Sequence, residues 1–278
     1  MVRGIIRSFE MGITPNTVEE TLFIPLWNRA QVSRKYPSLL YDPKAVELVE
    51  AIDYDFPAID AQMNHEHRLA NVARARQCDD VTRAYVTDHP RASVINLGAG
   101  LDTAFFRVDN GRIEWYDLDL PDVIAVRKQL LPETDRVHFI AKSLFDMSWC
   151  DDLRAIDDGV FAVAGGVLAY FDEAQLRTFF SALAERLPGA EMVFNAFSPG
   201  EVSRINRSLR RLGMRRVSMK WALEDASDLT TWDDRITVVD QFSCFRNVSY
   251  DPAWGTETIR KIQAIDEHKL MSIVHVSL

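Results

Sequence analysis

The chain has 278 residues, 47% hydrophobic and 26% charged, the composition of a globular protein and not of a disordered, fibrous or collagen-like one. Lysine and arginine number 32 against 41 aspartates and glutamates, a formal net charge of −9, which argues against a nucleic-acid partner met through a basic stripe but leaves room for a small anion met by one or two arginines. No apolar run reaches the ~20 residues of a membrane span, the first residues lack the pattern of a secretory signal, and Cys78, Cys150 and Cys244 lie far apart with no Cys-x-x-Cys, so the expectation is a cytoplasmic protein with no membrane partner, disulfide framework or zinc knuckle.

The predicted elements begin with helices. Thr17-Val-Glu-Glu20 fits a capping box, and an apolar stretch follows from Thr21 to Trp27 with Pro25 as a kink point. Asp42-Pro43 reads as an N-cap with proline in the first helical position, with Val46, Val49 and Ile52 on one face. A third helix is predicted from about Met63 to Val86, where Leu69, Val72, Ala73 and Arg76 recur at helical spacing, and His89-Pro90 ends it. After Pro90 the period changes. Ser93–Leu97, Arg112–Tyr116, Val137–Ala141, Val160–Ala164 and Ala190–Phe194 read as strands, and the continuous apolar run at Val160–Ala164 suits a strand buried on both faces. A helix opens at Asp172 with Gln175 in the capping-box position, carries Leu176, Phe179, Phe180, Leu183 and Leu187 on one stripe, and stops at Pro188-Gly189. Glu201–Leu212 reads as a further helix ended by Gly213. Two late strands, Ile236–Phe245 and Met271–Ser277, enclose a helix near Thr256–His268.

Strands alternating with helices imply βαβ units and a parallel sheet, an α/β fold. The expected organisation is one domain: a helical N-terminal part (1–90), a core (91–199), a helical cap insertion over the strand ends (200–234), and C-terminal strands and helix (235–278).

Gly98-Ala-Gly100 follows a predicted strand and precedes a helix expected to open at Asp102. Glycine there admits a ligand close to the backbone, and a helix N-terminus adds unpaired N–H donors. Asp117 and Asp119 lie 19 and 21 residues beyond Gly98, where a nucleotide-binding βαβ unit places the acid that accepts bonds from ribose hydroxyls. The dinucleotide fingerprint needs a third glycine where Thr103 stands, which disfavours a nicotinamide oxidoreductase, and no Gly-Lys-Ser/Thr marks a P-loop. S-adenosyl-L-methionine, which has no phosphate to cradle, is the remaining common choice.

Asn96-Leu-Gly-Ala-Gly-Leu-Asp-Thr103 resembles the glycine motif of the leucine carboxyl methyltransferase family, which includes polyketide O-methyltransferases of the tetracenomycin type. Asp117-Leu-Asp-Leu-Pro121 resembles the family's acid motif and Gly166-Val-Leu-Ala-Tyr-Phe171 its fourth-strand motif. Arg74, ahead of Ala84-Tyr85, falls at its N-terminal arginine. The likeness runs from about Thr17 to Phe197. It implies a Rossmann-like class I methyltransferase with a mostly parallel seven-stranded sheet flanked by helices, using S-adenosyl-L-methionine. By motif position, Arg74 would hold the cofactor carboxylate, Gly98 and Gly100 would line its amino-acid end, Asp119 (with Asp117 next in line) would bind the ribose, and Ser143-Leu144 would flank the adenine. Members often carry glutamate two residues before the Val-Leu pair; Gly165 stands there, a departure that also admits a non-catalytic adenosyl-ligand binder.

The expected function is O-methylation of a carboxylate or acidic phenol on a small, polyketide-like acceptor. An ionised carboxylate needs no base, whereas a phenol with a pKa near ~10 gains from one, usually histidine. No histidine falls within 195–235, which tilts the expectation to the carboxylate, with Arg204 or Arg246 steering the anion. Asp79-Asp80 reads as a solvated turn rather than a metal pair, the i,i+2 spacing of His65 and His67 cannot face one metal from a helix, and Trp221 and Trp232 read as cap packing. The sequence leaves the oligomeric state open.

Overall fold

The computed structural model describes residues 6–7, 22–57, 63–211 and 217–278; the box expected at Thr17–Glu20 and the helix end expected at Leu212-Gly213 lie outside these. In chain order, β1 (Ile6–Arg7) is followed by α1 (Phe23–Lys35), α2 (Pro43–Ala51) and β2 (Ile52–Asp53), which pairs in parallel with β1. Pro25 causes no kink, because it falls in the first turn of α1, where the helix makes no use of a backbone N–H. Asp42 caps α2 as its sequence suggests, accepting from the Ala45 amide at 2.9 Å. The long helix α3 (His65–Asp88) lies close to the predicted span and ends at His89. It packs against α1, against the sheet and against the late helix, so its buried positions include Arg68, Arg74, Asp79 and Thr82 beside Leu69 and Val72.

The sheet comprises β3 (Ser93–Leu97), β4 (Glu114–Asp119), β5 (Val137–Ala141), β6 (Val160–Ala164), β7 (Glu191–Phe197), β8 (Thr237–Ser243) and β9 (Met271–Ser277), in the order β5-β4-β3-β6-β7-β9-β8. β3 to β7 run parallel, and β9 is antiparallel to both its neighbours. The central strands β3 and β6 are buried at every position, as expected of strands covered on both faces. The connecting helices are α4 (Phe105–Val108), α5 (Pro121–Leu130), α6 (Glu173–Arg186), α7 (Pro199–Arg211) and α8 (Thr256–Glu267). Asp172 and Gln175 form the predicted capping box at the start of α6. Its apolar stripe buries Leu176, Phe179, Phe180 and Leu183 against one face of the sheet, each contributing about 1.5–3 kcal/mol by leaving water. The opposite face is covered by α3 and α8, with Leu69, Val72, Ala73, Ile262 and Ile265 against Val94, Phe161 and Val193.

Candidate active site

The sheet order places the cleft. From β3 the chain moves outward to β4 and β5, whereas β6 lies on the other side of β3 and leads to β7. Loops leaving β3 and β6 therefore diverge, and a crevice opens at the carboxyl ends of those strands, the usual ligand site of doubly wound sheets. Both loops are glycine-rich for steric reasons. Gly98 has φ +67°, and a Cβ on it would meet Val167 Cγ2 at 2.7 Å. Gly166 has φ +93°, and a Cβ there would meet Arg74 Nη1 at 2.5 Å. Any other residue would hold the two loops apart and push Arg74 aside.

The inner cavity, about 340 Å³, is bordered by Arg74, Gly98, Gly100, Asp119, Leu120 and Gly165, among others. Asp119, at the end of β4, accepts from the Gly100 amide at 2.8 Å through Oδ2 and from the Leu120 amide at 2.7 Å through Oδ1. Each oxygen keeps a lone pair for a ligand hydroxyl, while burial raises the carboxyl's pKa. Leu120, 54% exposed, supplies an apolar wall next to that acid; sequence reasoning missed it, although its place directly after the acid marks it.

Three expectations for this half change. The turn does not offer a row of free amides. Gly98 and Ala99 donate to Leu118 O at 2.9 and 3.1 Å, Gly100 to Asp119, and Asp102 to Ala99 O at 2.8 Å; helix α4 opens only at Phe105. The turn thus supplies close approach rather than hydrogen-bond donors. Asp117 is not a cavity acid. The strand runs on to Asp119, so Asp117 is interior, fully buried, and accepts from Asn96 Nδ2, Trp115 Nε1 and Arg127. Arg127 in turn donates to Gly100 O at 2.9 Å, so Asp117 supports the glycine turn from beneath. Ser143 and Leu144 do not border the inner cavity: Ser143 Oγ accepts from the Phe145 amide, and Leu144 packs into the core.

A buried ionic cluster fixes the N-terminal helices to this turn. Arg107 Nη1 donates to Asp42 Oδ2 at 2.6 Å, and Arg107 Nε to Asp79 Oδ2 at 2.6 Å. Thr103 Oγ1 donates to Asp42 at 2.6 Å, and Arg29 reaches both Asp42 and the Leu101 carbonyl. Burial opposes the charge on Arg107, but Asp79, Asp102 and Asp42 outweigh it and raise its pKa. Asp79 is therefore not part of a solvated turn. It is 2% exposed, while Asp80 pairs on the surface with Arg83.

Arg74 stands between two chambers. It is 8% exposed and borders the inner cavity and an outer one of about 320 Å³. Its Nε has no hydrogen-bond partner among the described residues. A buried guanidinium nitrogen without a partner is costly, and burial lowers the pKa of Arg74; a carboxylate in the cavity could pair with it. Pro25, Gly165, Gly166 and Tyr170 join Arg74 in bordering both chambers. The outer walls are mostly apolar, among them Ile24, Ile205, Leu209, Met219 and Met271.

Arg204 borders the outer cavity, but Glu201 binds it in a two-point pair, Nε to Oε2 at 2.6 Å and Nη2 to Oε1. Arg246 is elsewhere: it pairs with Asp240 and lies over the Phe242 ring, in a groove with Tyr85 and His275. It takes no part in the outer cavity, because β8 is the far edge strand. Trp221 packs on Phe194 and Trp232 on Phe180, as the packing reading expects. His67 borders the outer cavity. Sequence reasoning missed it by searching 195–235 for a base, although its place seven residues before Arg74 is a signal that was available.

Comparison with known proteins fits this geometry. The family model for leucine carboxyl methyltransferase matches residues 23–184. The tetracenomycin polyketide synthesis O-methyltransferase TcmP of Streptomyces glaucescens is 34% identical over 183 residues, 66% of this chain and 67% of that protein. The S-adenosyl-L-methionine-dependent methyltransferase dpfgK of Gibberella zeae is 25% identical over 243 residues, 79% and 80% of the two chains. Two crystal structures share the fold. A DUF574 family protein from Streptomyces avermitilis has a TM-score of 0.58 at 14% identity, covering 83% of this chain and 94% of its own. An S-adenosylmethionine-dependent methyltransferase from Mesorhizobium loti has a TM-score of 0.51 at 14% identity, covering 72% and 96%. The chain belongs to the leucine carboxyl methyltransferase family, whose methyl donor is S-adenosyl-L-methionine.

Proposed function

We propose that this protein is an O-methyltransferase that moves the methyl group of S-adenosyl-L-methionine onto an oxygen of a small, largely apolar acceptor. The observation that carries the reading is the pair of chambers meeting at Arg74, Gly165, Gly166 and Tyr170: one bordered by the glycine turn and Asp119, the other walled by Ile24, Ile205, Leu209, Met219 and Met271 beside His67 and the Arg204–Glu201 pair. In this reading Arg74 holds the cofactor's carboxylate, Gly98 and Gly100 let its amino-acid end lie against the turn, Asp119 takes the ribose hydroxyls, and Leu120 lies beside the adenine. The fit rests on the orphaned Nε of Arg74 and on the free lone pairs of Asp119.

The cofactor supplies an already activated sulfonium methyl, so the protein's task is alignment of acceptor and methyl and exclusion of water. The relative TcmP is named as a polyketide O-methyltransferase, and the apolar outer chamber suits an acceptor of that character. The test is incubation with S-adenosyl-L-methionine and a panel of aromatic carboxylates and phenols, read by mass spectrometry. A methyl ester or methyl ether appearing together with S-adenosylhomocysteine is the expected result. Cofactor binding with no methylated oxygen in any panel member would refute the reading and favour a non-catalytic binder.

A further inference from the structure

We infer that Asn71 orients the acceptor: its side-chain amide donates a hydrogen bond to the acceptor oxygen and holds that oxygen toward the methyl group. The inference rests on the O-methyl transfer proposed above and applies to a carboxylate and to a phenolate alike.

His67, Ala70, Asn71 and Arg74 all border the outer cavity. Their spacing of i, i+3, i+4 and i+7 sets them on one face of α3, so the helix runs along the cleft with Arg74 where the two chambers meet. Asn71 is one turn from Arg74, about 4.5 Å along the axis at 1.5 Å per residue, and residues three apart on a helix are surface neighbours. Arg74, Gly165, Gly166 and Tyr170 border both chambers, whereas Asn71 borders the outer one and not the inner. A side chain so placed can reach the reacting end of an acceptor without touching the methyl donor. His67 lies a further turn away on the same face, and Arg204 and Ser208 belong to the wall made by α7. Asn71 is half-buried, and its carboxamide has no hydrogen-bond partner among the described residues.

A neutral amide suits that place. The methyl donor carries its positive charge on sulfur. A cation held against the reacting oxygen would be repelled by the sulfonium and would draw off the electron density that attacks carbon. A carboxamide has donors but no charge, so it fixes the oxygen without neutralising it: Nδ2 donates to one lone pair, and another stays directed at the methyl carbon. Such fixing matters because transfer requires the reacting atoms to be aligned at about 3–3.5 Å.

The acceptor attacks as its anion, having given any proton to solvent. Its oxygen bonds to the methyl carbon as the carbon–sulfur bond breaks with its electron pair passing to sulfur. The products are the methyl ester or methyl ether and S-adenosylhomocysteine, and Asn71 keeps its protons throughout.

The test compares wild-type protein with Asn71→Leu and Asn71→Asp on the panel of aromatic carboxylates and phenols, beginning with 1-naphthoic acid and 1-naphthol, at saturating S-adenosyl-L-methionine. Asn71→Leu keeps the bulk and removes the donor. It should lose about 10–100-fold in kcat/KM for the acceptor, the worth of a hydrogen bond to a charged group. Calorimetry should give all three proteins the same affinity for S-adenosylhomocysteine, which shows a folded site. Asn71→Asp has nearly the shape of asparagine, but its ionised form repels the anion, so at neutral pH it should lose more than Asn71→Leu. Its protonated form donates where the amide did. The ratio of kcat/KM in Asn71→Asp to that in wild-type protein should therefore rise as pH falls through the new carboxyl's pKa, a signature that a merely structural role would not give. Unchanged kcat/KM in Asn71→Leu, a ratio for Asn71→Asp that is flat or rises with pH, or a matching fall in S-adenosylhomocysteine affinity in both variants would each overturn the inference while leaving O-methyl transfer standing. Wild-type protein that binds the cofactor and methylates no member of the panel would overturn both.

Discussion

The two chambers are built on different principles. In the inner one almost every polar group is fixed by another: Asp119 by the amides of Gly100 and Leu120, Gly100 by Arg127, Arg127 by Asp117, and the turn's flank by Arg107, Asp42 and Asp79. In the outer one the apolar side chains of the wall come from segments far apart in the chain, and its polar groups, among them His67, Asn71, Ser208 and the Arg204–Glu201 pair, are spread between them. A methyl donor is the same molecule at every turnover, so a pre-arranged seat spares reorganisation at the moment of reaction. An acceptor chamber whose walls bear few of the fold's internal bonds can change its residues with little loss of stability, and this is where related enzymes can diverge in substrate.

The largest test of that contrast is Arg107→Met. It removes the counter-charge from buried Asp42 and Asp79, and breaking a buried pair from one side costs about 3–5 kcal/mol. Chemical denaturation should show that loss, whereas Leu209→Ala in the outer wall, where the side chain is only partly buried, should cost under about 1 kcal/mol, as changes at such sites usually do. Equal losses would erase the distinction between the chambers.

Arg74→Met should separate stability from binding. Its guanidinium is buried with an orphaned Nε, so the apoprotein should keep its stability or gain on the order of 1 kcal/mol when the charge is replaced by an apolar chain of similar length. S-adenosylhomocysteine affinity should fall on the order of 100-fold, since a hydrogen bond to a charged group contributes about 1.5–3 kcal/mol. A destabilised apoprotein with unchanged affinity would mean that Arg74 serves the fold and not the ligand.

Asp119→Asn should weaken S-adenosylhomocysteine binding about tenfold, the effect of replacing a charged acceptor by a neutral one. The wild-type affinity should also depend on pH. Burial raises the Asp119 carboxyl; in the proposed reading the ionised form accepts the ribose hydroxyls, and protonation removes that acceptor. Affinity should therefore fall as pH drops through this raised pKa, sooner than for an ordinary carboxylate, and Asp119→Asn should flatten the curve. A curve that keeps its shape in the variant would assign the pH dependence to another group.

Much of the inner chamber was legible in the sequence because its parts are contiguous. A strand, a Gly-x-Gly turn and an acid one βαβ unit later occupy 93–119, and local patterns report local structure. What the sequence concealed was depth. Asp117 and Asp119 differ by two residues and point to the same side of β4, but the strand ends at Asp119, so one acid is core and the other cavity. The cap at Asp42 was readable as a helix start, yet not as the partner of Arg107, which lies 65 residues away. The outer chamber was nearly illegible for the same reason. Its walls come from α1, α3, α7, α8 and β9, and nothing in residue spacing brings His67 opposite Arg204. The sheet succeeded on the opposite ground: β3, β5, β6 and β9 fall at their predicted positions, since an apolar run bounded by turn residues carries its own signature.

The smallest expected effect lies where the chambers join. Gly165 borders both of them, its φ lies outside the left-handed region, and a Cβ built on it meets nothing within 4 Å. Unlike Gly98 and Gly166, it is not required by the backbone. Gly165→Ala should therefore stabilise the protein by about 0.4–1 kcal/mol through the unfolded chain. Its methyl would project into the common wall of the two chambers. Because one methylene in an apolar site changes discrimination by about 1–3 kcal/mol, the acceptor's KM should rise, while affinity for S-adenosylhomocysteine, whose contacts lie at Arg74 and Asp119 in this reading, should stay within about twofold. A cofactor loss without an acceptor loss would place Gly165 in the donor's seat alone, and the narrow joint between the chambers would then have to be drawn at Tyr170 instead.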